Sequence, residues 1–135
     1  RHTTISRKQV IDLEEIYPDA VVMAHPECPA DVLAEADFIG STKGMIEHAT
    51  YSDAKDFIVC TVVGIASELK LRNEGTNKQF HFPAPIPRCE NMDLVTLPKL
   101  AACLRNPTPH EVHVDENLAP AARLTLERML EYAAK

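Results

Sequence analysis

The sequence predicts an α/β protein: a three-layer α/β/α domain on a short parallel sheet, then a separate C-terminal segment. Three observations carry this prediction. Short apolar runs such as Ala20-Val21-Val22-Met23-Ala24 and Phe57-Ile58-Val59-Cys60 do not alternate with polar residues, the pattern of strands buried on both faces of a parallel sheet. Helix-like segments alternate with these runs, as βαβ units require. Finally, Pro83-Ala84-Pro85-Ile86-Pro87 interrupts the alternation with a stretch that cannot join a central strand and reads as an extended connector.

The elements follow in order. Ile5-Ser6-Arg7-Lys8-Gln9-Val10 is a helix start, with Ser6 as N-cap, Gln9 reaching back three residues later, and Ile5 set against Val10. The helix should run from about Ser6 to Tyr17. Pro18-Asp19 ends it, and Ala20–Ala24 is the first strand. Pro29–Ala36 is a short helix, Asp37-Phe38-Ile39 a short strand, and Gly40-Ser41-Thr42 turns into a helix reaching about Ala49. Asp56–Thr61 is another buried strand, Ile65–Leu71 another helix, and Lys78–Phe82 a fourth strand, so the α/β/α domain spans residues 18–83. Beyond it, residues 84–135 hold a loop at Cys89, a helix from about Val95 to Leu104, a break at Asn106-Pro107-Thr108-Pro109, and an edge strand at Glu111-Val112-His113-Val114, where polar and apolar residues alternate. Leu118–Tyr132 closes the chain as a helix whose apolar positions Leu118, Ala122, Leu126, Met129 and Leu130 form one buried face.

Composition narrows the function. With 135 residues, 45% hydrophobic and 25% charged, the chain is an ordinary globular protein. A net charge of -6 with scattered Lys and Arg argues against a nucleic-acid partner, which needs a basic surface. No apolar run approaches the ~18 residues of a membrane span, and no signal-peptide layout opens the chain, so a cytoplasmic location is expected. Cys28, Cys60, Cys89 and Cys103 form no C-x-x-C pair, and their spacing does not suggest a disulfide framework. The start at Arg1 leads to the expectation of a processed or truncated piece.

Ligands of an open parallel sheet bind beyond the carboxyl ends of its strands. That rule selects His25-Pro26-Glu27-Cys28 after the first strand, Gly40-Ser41-Thr42 after the second, and Thr61 after the third. Each admits two readings. His25 and Glu27 could be polar groups that end a strand and favour the next helix start, or a general acid/base pair held by proline-restricted backbone. Ser41 and Thr42 could be an ordinary N-cap, or could hold a carboxylate or phosphate with hydroxyls and free amides. Cys60 and Cys103 sit in apolar patterns and read as core residues. Cys89 lies in a loop where packing calls for no thiol, which makes it a candidate metal or cluster ligand. His48, His81 and His110 show no zinc-like spacing.

Taken together, His25-Pro26-Glu27-Cys28-Pro29, Ala36-Asp37-Phe38-Ile39-Gly40-Ser41-Thr42, Arg88-Cys89-Glu90-Asn91-Met92 and Glu111-Val112-His113-Val114-Asp115 with Arg128-Met129-Leu130 resemble, in order and spacing, the C-terminal part of quinolinate synthase. The resemblance covers nearly the whole chain. It implies three similar α/β/α domains around a central site, with residues 1–17 linking from a preceding domain and residues 84–135 belonging to a second, similar domain, and a [4Fe-4S] cluster held by one cysteine from each. It also implies the condensation of iminoaspartate with dihydroxyacetone phosphate to quinolinate, an NAD precursor, with a functional link to L-aspartate oxidase. By the same resemblance Cys89 matches the third cluster ligand, Glu27 and His25 match the His-Pro-Glu whose Glu serves proton transfer, and Ser41 and Thr42 match the pair that holds substrate oxygens. His2 matches a histidine that follows the second cluster cysteine. Cys28 stands where other members carry Ser, and Val62 stands where the family often has an acidic residue.

Two of the implied cluster cysteines are not in this chain, and one thiolate cannot hold a four-iron cluster. The expectation is therefore that the chain alone lacks the cluster and is catalytically inert, and that apolar surface left by truncation favours self-association into a homo-oligomer. The competing reading is a small α/β module that binds a carboxylate or phosphate at Ser41 and Thr42 without catalysis.

Overall fold

The computed structural model describes residues 2–134. They form two compact units, one ending at Leu94 and the other beginning at Val95.

In the first unit α1 (Arg7–Ile16), β1 (Val21–Ala24), α2 (Ala30–Leu33), β2 (Phe38–Ile39), α3 (Thr42–Tyr51), β3 (Asp56–Cys60), α4 (Ala66–Arg72) and β4 (Gln79–His81) follow one another. The start of α1 is the capping box that its sequence implies. Ser6 Oγ accepts from the Gln9 amide while the Gln9 side chain accepts from the Ser6 amide at 2.7 Å. Ile5 and Val10 are both buried in one cluster, so the helix enters the domain at a fixed angle.

All four strands are parallel, in the order β2-β1-β3-β4, with Val22 opposite Ile58, Met23 opposite Phe38, and Phe57 opposite Phe80. Side chains of one strand alternate between faces, and here both faces are covered. Val22, Ala24, Ile58 and Cys60 pack with Val10 of α1 and Val32 of α2. Met23, Phe57 and Val59 pack with Met45 and Ala49 of α3 and Leu69 of α4. This is the three-layer arrangement, and it explains why the strand sequences are apolar without alternation.

One element is shorter than its sequence suggests. Helical pattern continues to Ala36, but α2 ends at Leu33, because Asp37 is drawn into the sheet edge: its amide donates to Val22 O at 2.9 Å and its carboxylate accepts from the Val22 amide at 2.8 Å. The chain must be extended there for both bonds to form.

The second unit holds α5 (Leu97–Arg105), a single 3-10 turn at Thr108–His110, and α6 (Ala119–Ala133). Residues 111–114, expected as an edge strand, make no strand pairing, and the described residues of this unit contain no other strand for them to join. The apolar stripe of α6 is present, but its expected burial is not: Leu118, Leu126, Met129 and Leu130 are all exposed. Cys103, expected in the core, is half-buried. A segment this short cannot close a hydrophobic core of its own.

Candidate functional site

The strand order creates a crevice. From β1 the chain crosses to β2 on one side, and from β3 it crosses to β4 on the other, so the loops leaving β1 and β3 diverge. A switch point of this kind is where open α/β sheets bind ligands. His25 continues β1 by one rung, its amide donating to Cys60 O at 3.2 Å, and the chain then turns so that the Cys28 amide meets His25 O at 2.9 Å. Thr61 follows β3 directly and is only 1% exposed.

His2 joins these two loops. It lies in a 3-10 turn, His2–Thr4, whose exit is pinned by buried Ile5. Its Nδ1 is 3.0 Å from Glu27 Oε2, and its Nε2 is 3.0 Å from Thr61 Oγ1. Its ring stacks on His25, with centroids 4.3 Å apart and planes 8° from parallel. His25 Nδ1 in turn accepts from the Glu27 amide at 3.2 Å. An amide N–H needs a lone pair, so the proton of neutral His25 sits on Nε2, the nitrogen left to donate outward.

Burial pushes the His25 pKa below its ordinary 6.5, with the adjacent His2 acting in the same direction and Glu27 against it. Above 6.5 the ring is neutral in both folded and unfolded chains. As pH falls below 6.5 the unfolded chain binds the proton first, so stability declines until pH has passed the lower folded value. Urea unfolding midpoints should therefore fall faster with acidification below 6.5 in the native protein than in His25→Asn, and equal slopes would count against this environment for His25.

The donor atoms of His2, His25 and Glu27 lie within 4.8 Å of one another. They nevertheless do not converge on one ion. Imidazole lone pairs lie in the ring plane, and stacking holds the two planes nearly parallel. One nitrogen of each ring already has a protein partner besides the carboxylate, Thr61 for His2 and the Glu27 amide for His25. Parallel rings with these partners do not aim the three donor atoms at a common point.

Ser41 and Thr42 sit in the neighbouring loop. The Gly40 amide donates to Ala24 O at 3.1 Å, tying the end of β2 to the end of β1. Ser41 caps α3, its Oγ accepting from the Gly44 amide at 3.2 Å, which leaves the hydroxyl proton available. Gly40 is required by space: a Cβ there would lie 2.7 Å from the Phe38 ring, which is itself stacked on His48. Gly40→Ala should destabilise the domain by about 1–3 kcal/mol through overpacking, measured by chemical denaturation.

The cysteines separate by environment. Cys28 and Cys60 are buried, and the Cys28 thiol donates to Cys60 O at 3.2 Å. Burial raises both thiol pKa values, that of Cys60 to about 12, so neither is a ready thiolate. Cys89 is half-buried in a loop fastened beside the end of β3, where the Val63 amide donates to Pro87 O at 2.8 Å. The loop is closed by the Asp93 amide on Cys89 O and by Arg88 paired with Asp93, both at 2.9 Å.

The fold thus brings His2, His25 and Glu27 into one contact group. Ser41 and Thr42 occupy the adjoining loop, and Cys89 a loop of its own. Thr61, which the strand-end rule selects without indicating a partner, meets His2, 59 positions away. A groove of about 800 Å³ lies elsewhere, along α4 and β4 between Lys70, Asn73, Thr76, Lys78 and Phe80. It gathers no acid/base group comparable to the His2 cluster. No helix among the described residues is long and apolar enough to cross a membrane.

The sequence model of the family described as quinolinate synthetase A protein matches residues 1–131. Quinolinate synthases of Chloroherpeton thalassium, Chlorobaculum tepidum and Microcystis aeruginosa are 44%, 40% and 38% identical to it over 137, 139 and 136 residues. The alignments cover 96–98% of this chain but only 41–42% of each relative, so the chain spans well under half of their length. On the family match and these identities together, the chain belongs to the quinolinate synthetase A family.

Proposed function

We propose that the chain supplies the acid/base and substrate-anchoring part of a quinolinate synthase, which joins iminoaspartate to dihydroxyacetone phosphate in NAD biosynthesis. The observation that carries this reading is the His2–Glu27–His25 cluster at the switch point of the sheet. Forming an aromatic ring from these substrates releases water and inorganic phosphate. It requires protons to be taken from carbon and nitrogen and given to departing oxygens.

Glu27 is suited to that exchange. Its side chain is 72% exposed, with one oxygen held by His2 and the other left to take or return a proton. His25, neutral at physiological pH, donates from Nε2 to a carboxylate or carbonyl oxygen of substrate. Ser41 and the first amides of α3 suit the anionic groups of either substrate, because a helix start presents donors and a positive dipole end.

The resemblance also implies a [4Fe-4S] cluster, which when bound supplies a Lewis-acid iron. The cysteines here fit one position of such a cluster and not the whole. Cys89 is the accessible thiol of the first unit, Cys28 and Cys60 are buried, and Cys103 belongs to α5 of the other unit. Three or four thiolates are needed, so the others would come from outside this chain. On this reading the chain alone is inert, works in the cytoplasm without nucleic acid, and receives iminoaspartate from an L-aspartate oxidase. The exposed apolar residues of α5 and α6 favour association with further chain or with another copy.

Iron and sulfide content, the visible spectrum after anaerobic reconstitution, and quinolinate formation should be measured on this chain and on its longest native form. Cluster and product in the longer form only is the expected result. No cluster and no product in either would overturn the enzyme reading and favour an anion-binding module at Ser41 and Thr42.

A further inference from the structure

We propose that Phe38 is a positioning residue for the loop Gly40–Gly44: its ring, held by His48, sets where Ser41 and Thr42 stand beside the end of β1. The proposal rests on the reading of Ser41 and Thr42 as substrate anchors. Their loop has little support of its own. It leaves β2, an edge strand of two residues with β1 as its neighbour, and Ser41, Thr42 and Lys43 are all exposed. The Gly40 amide donates to Ala24 O at 3.1 Å and the Gly44 amide to Ser41 Oγ at 3.2 Å. Neither bond supports the loop from beneath.

The Phe38 ring does. A Cβ added at Gly40 would stand 2.7 Å from Phe38 Cε1, and one added at Gly44 would stand 3.7 Å from Phe38 Cζ. One edge of the ring therefore meets the backbone at both ends of the loop. Neither glycine has a positive φ, so space beside the ring, not backbone conformation, calls for glycine at position 40. Glycine backbone has the widest choice of alternative conformations, and the ring narrows that choice by filling the volume into which the loop would otherwise settle. Phe38 is fixed in turn from two sides. It packs on the cluster containing Met45 and Ala49 of α3, and His48 stacks on its face, with centroids 4.2 Å apart and planes 14° from parallel. Gly44 and His48 are four residues apart and share one face of α3, which is why a single ring meets both. Without its flat volume, Gly40 and Gly44 settle inward and draw Ser41 and Thr42 away from the anionic group of the substrate, leaving His25 and Glu27 in place.

Three variants test this. Phe38→Leu keeps the position apolar but removes the flat ring, His48→Ala removes the stacking partner alone, and His48→Phe keeps the stack. In this chain, amide hydrogen exchange followed by NMR reads the loop directly. The Gly40 and Gly44 amides should exchange about tenfold faster in Phe38→Leu and His48→Ala, with His48→Phe native-like and the Val22 and Ile58 amides unchanged in all three. In the longest native form, the first two variants should raise KM for at least one of the two substrates about tenfold, the scale of one weakened hydrogen bond to a charged group. Iron content and kcat should be retained, and His48→Phe should keep the native KM. A purely structural role would instead lower kcat through a smaller active fraction and leave both KM values alone, and that result overturns the proposal. So does native exchange at both glycines in either variant, and His48→Ala supplies this test even where Phe38→Leu does not fold. A longest native form that makes no quinolinate would refute the proposed function, while exchange in this chain would still decide whether Phe38 holds the loop.

Discussion

Glu27→Gln in the longest native form should lower quinolinate synthesis by about two to four orders of magnitude, the range in which a general acid/base operates. Glutamine keeps the size and can still accept from His2 Nδ1 through its amide oxygen, so the loop after β1 should hold its shape. What it loses is the oxygen that takes up a proton. Because the Glu27 side chain is 72% exposed, unfolding midpoints should barely move. Steady-state kinetics with both substrates would show the loss in kcat, with KM changed little. An enzyme that retained most of its turnover would remove Glu27 from the proton-transfer role.

Cys89→Ala should be more drastic still, abolishing both iron content and activity of the longer form. A thiolate ligand has no substitute in alanine, and a cluster missing one protein ligand is exposed and labile. The structural cost should be small. The Asp93 amide bonds the Cys89 backbone carbonyl, which alanine preserves, and Arg88 still pairs with Asp93. Cys103→Ala is the control: it should leave iron unchanged. Full iron content in Cys89→Ala would withdraw its assignment as a ligand.

The parts of the fold that could be read in advance are those set by local chemistry. Ser6 and Gln9 are three residues apart and make the same capping box in any context that admits a helix. The apolar runs of β1 and β3 announced burial on both faces. What could not be read depends on partners far along the chain. Alternation of helices and strands implies a parallel sheet but not the order β2-β1-β3-β4, and without that order nothing places Thr61 beside His2. Asp37 likewise gave no local sign that its carboxylate would cap the β1 backbone and cut α2 short. The apolar stripe of α6 reports that a face wants covering but not what covers it, which is why its expected burial failed within its own unit. For the site, His25 and Glu27 were visible because two prolines and a strand end isolate them. Ser41 was visible as a helix start. His2 carried no local signal and rested wholly on family resemblance.

The rung between the His25 amide and Cys60 O ties the site to the most protected part of the molecule. β1 and β3 are the central strands, whereas β2 and β4 are short edges of two and three residues. Local opening events in proteins begin at such edges and spread inward only at higher free energy. Fraying of β4 therefore leaves His25, Glu27 and Thr61 in register, and separating them requires the β1–β3 pair to part. In the language of amide exchange, the backbone at His25 and Thr61 should open with the slowest class of protons, so their spacing should persist through motions that already expose the rim of the sheet.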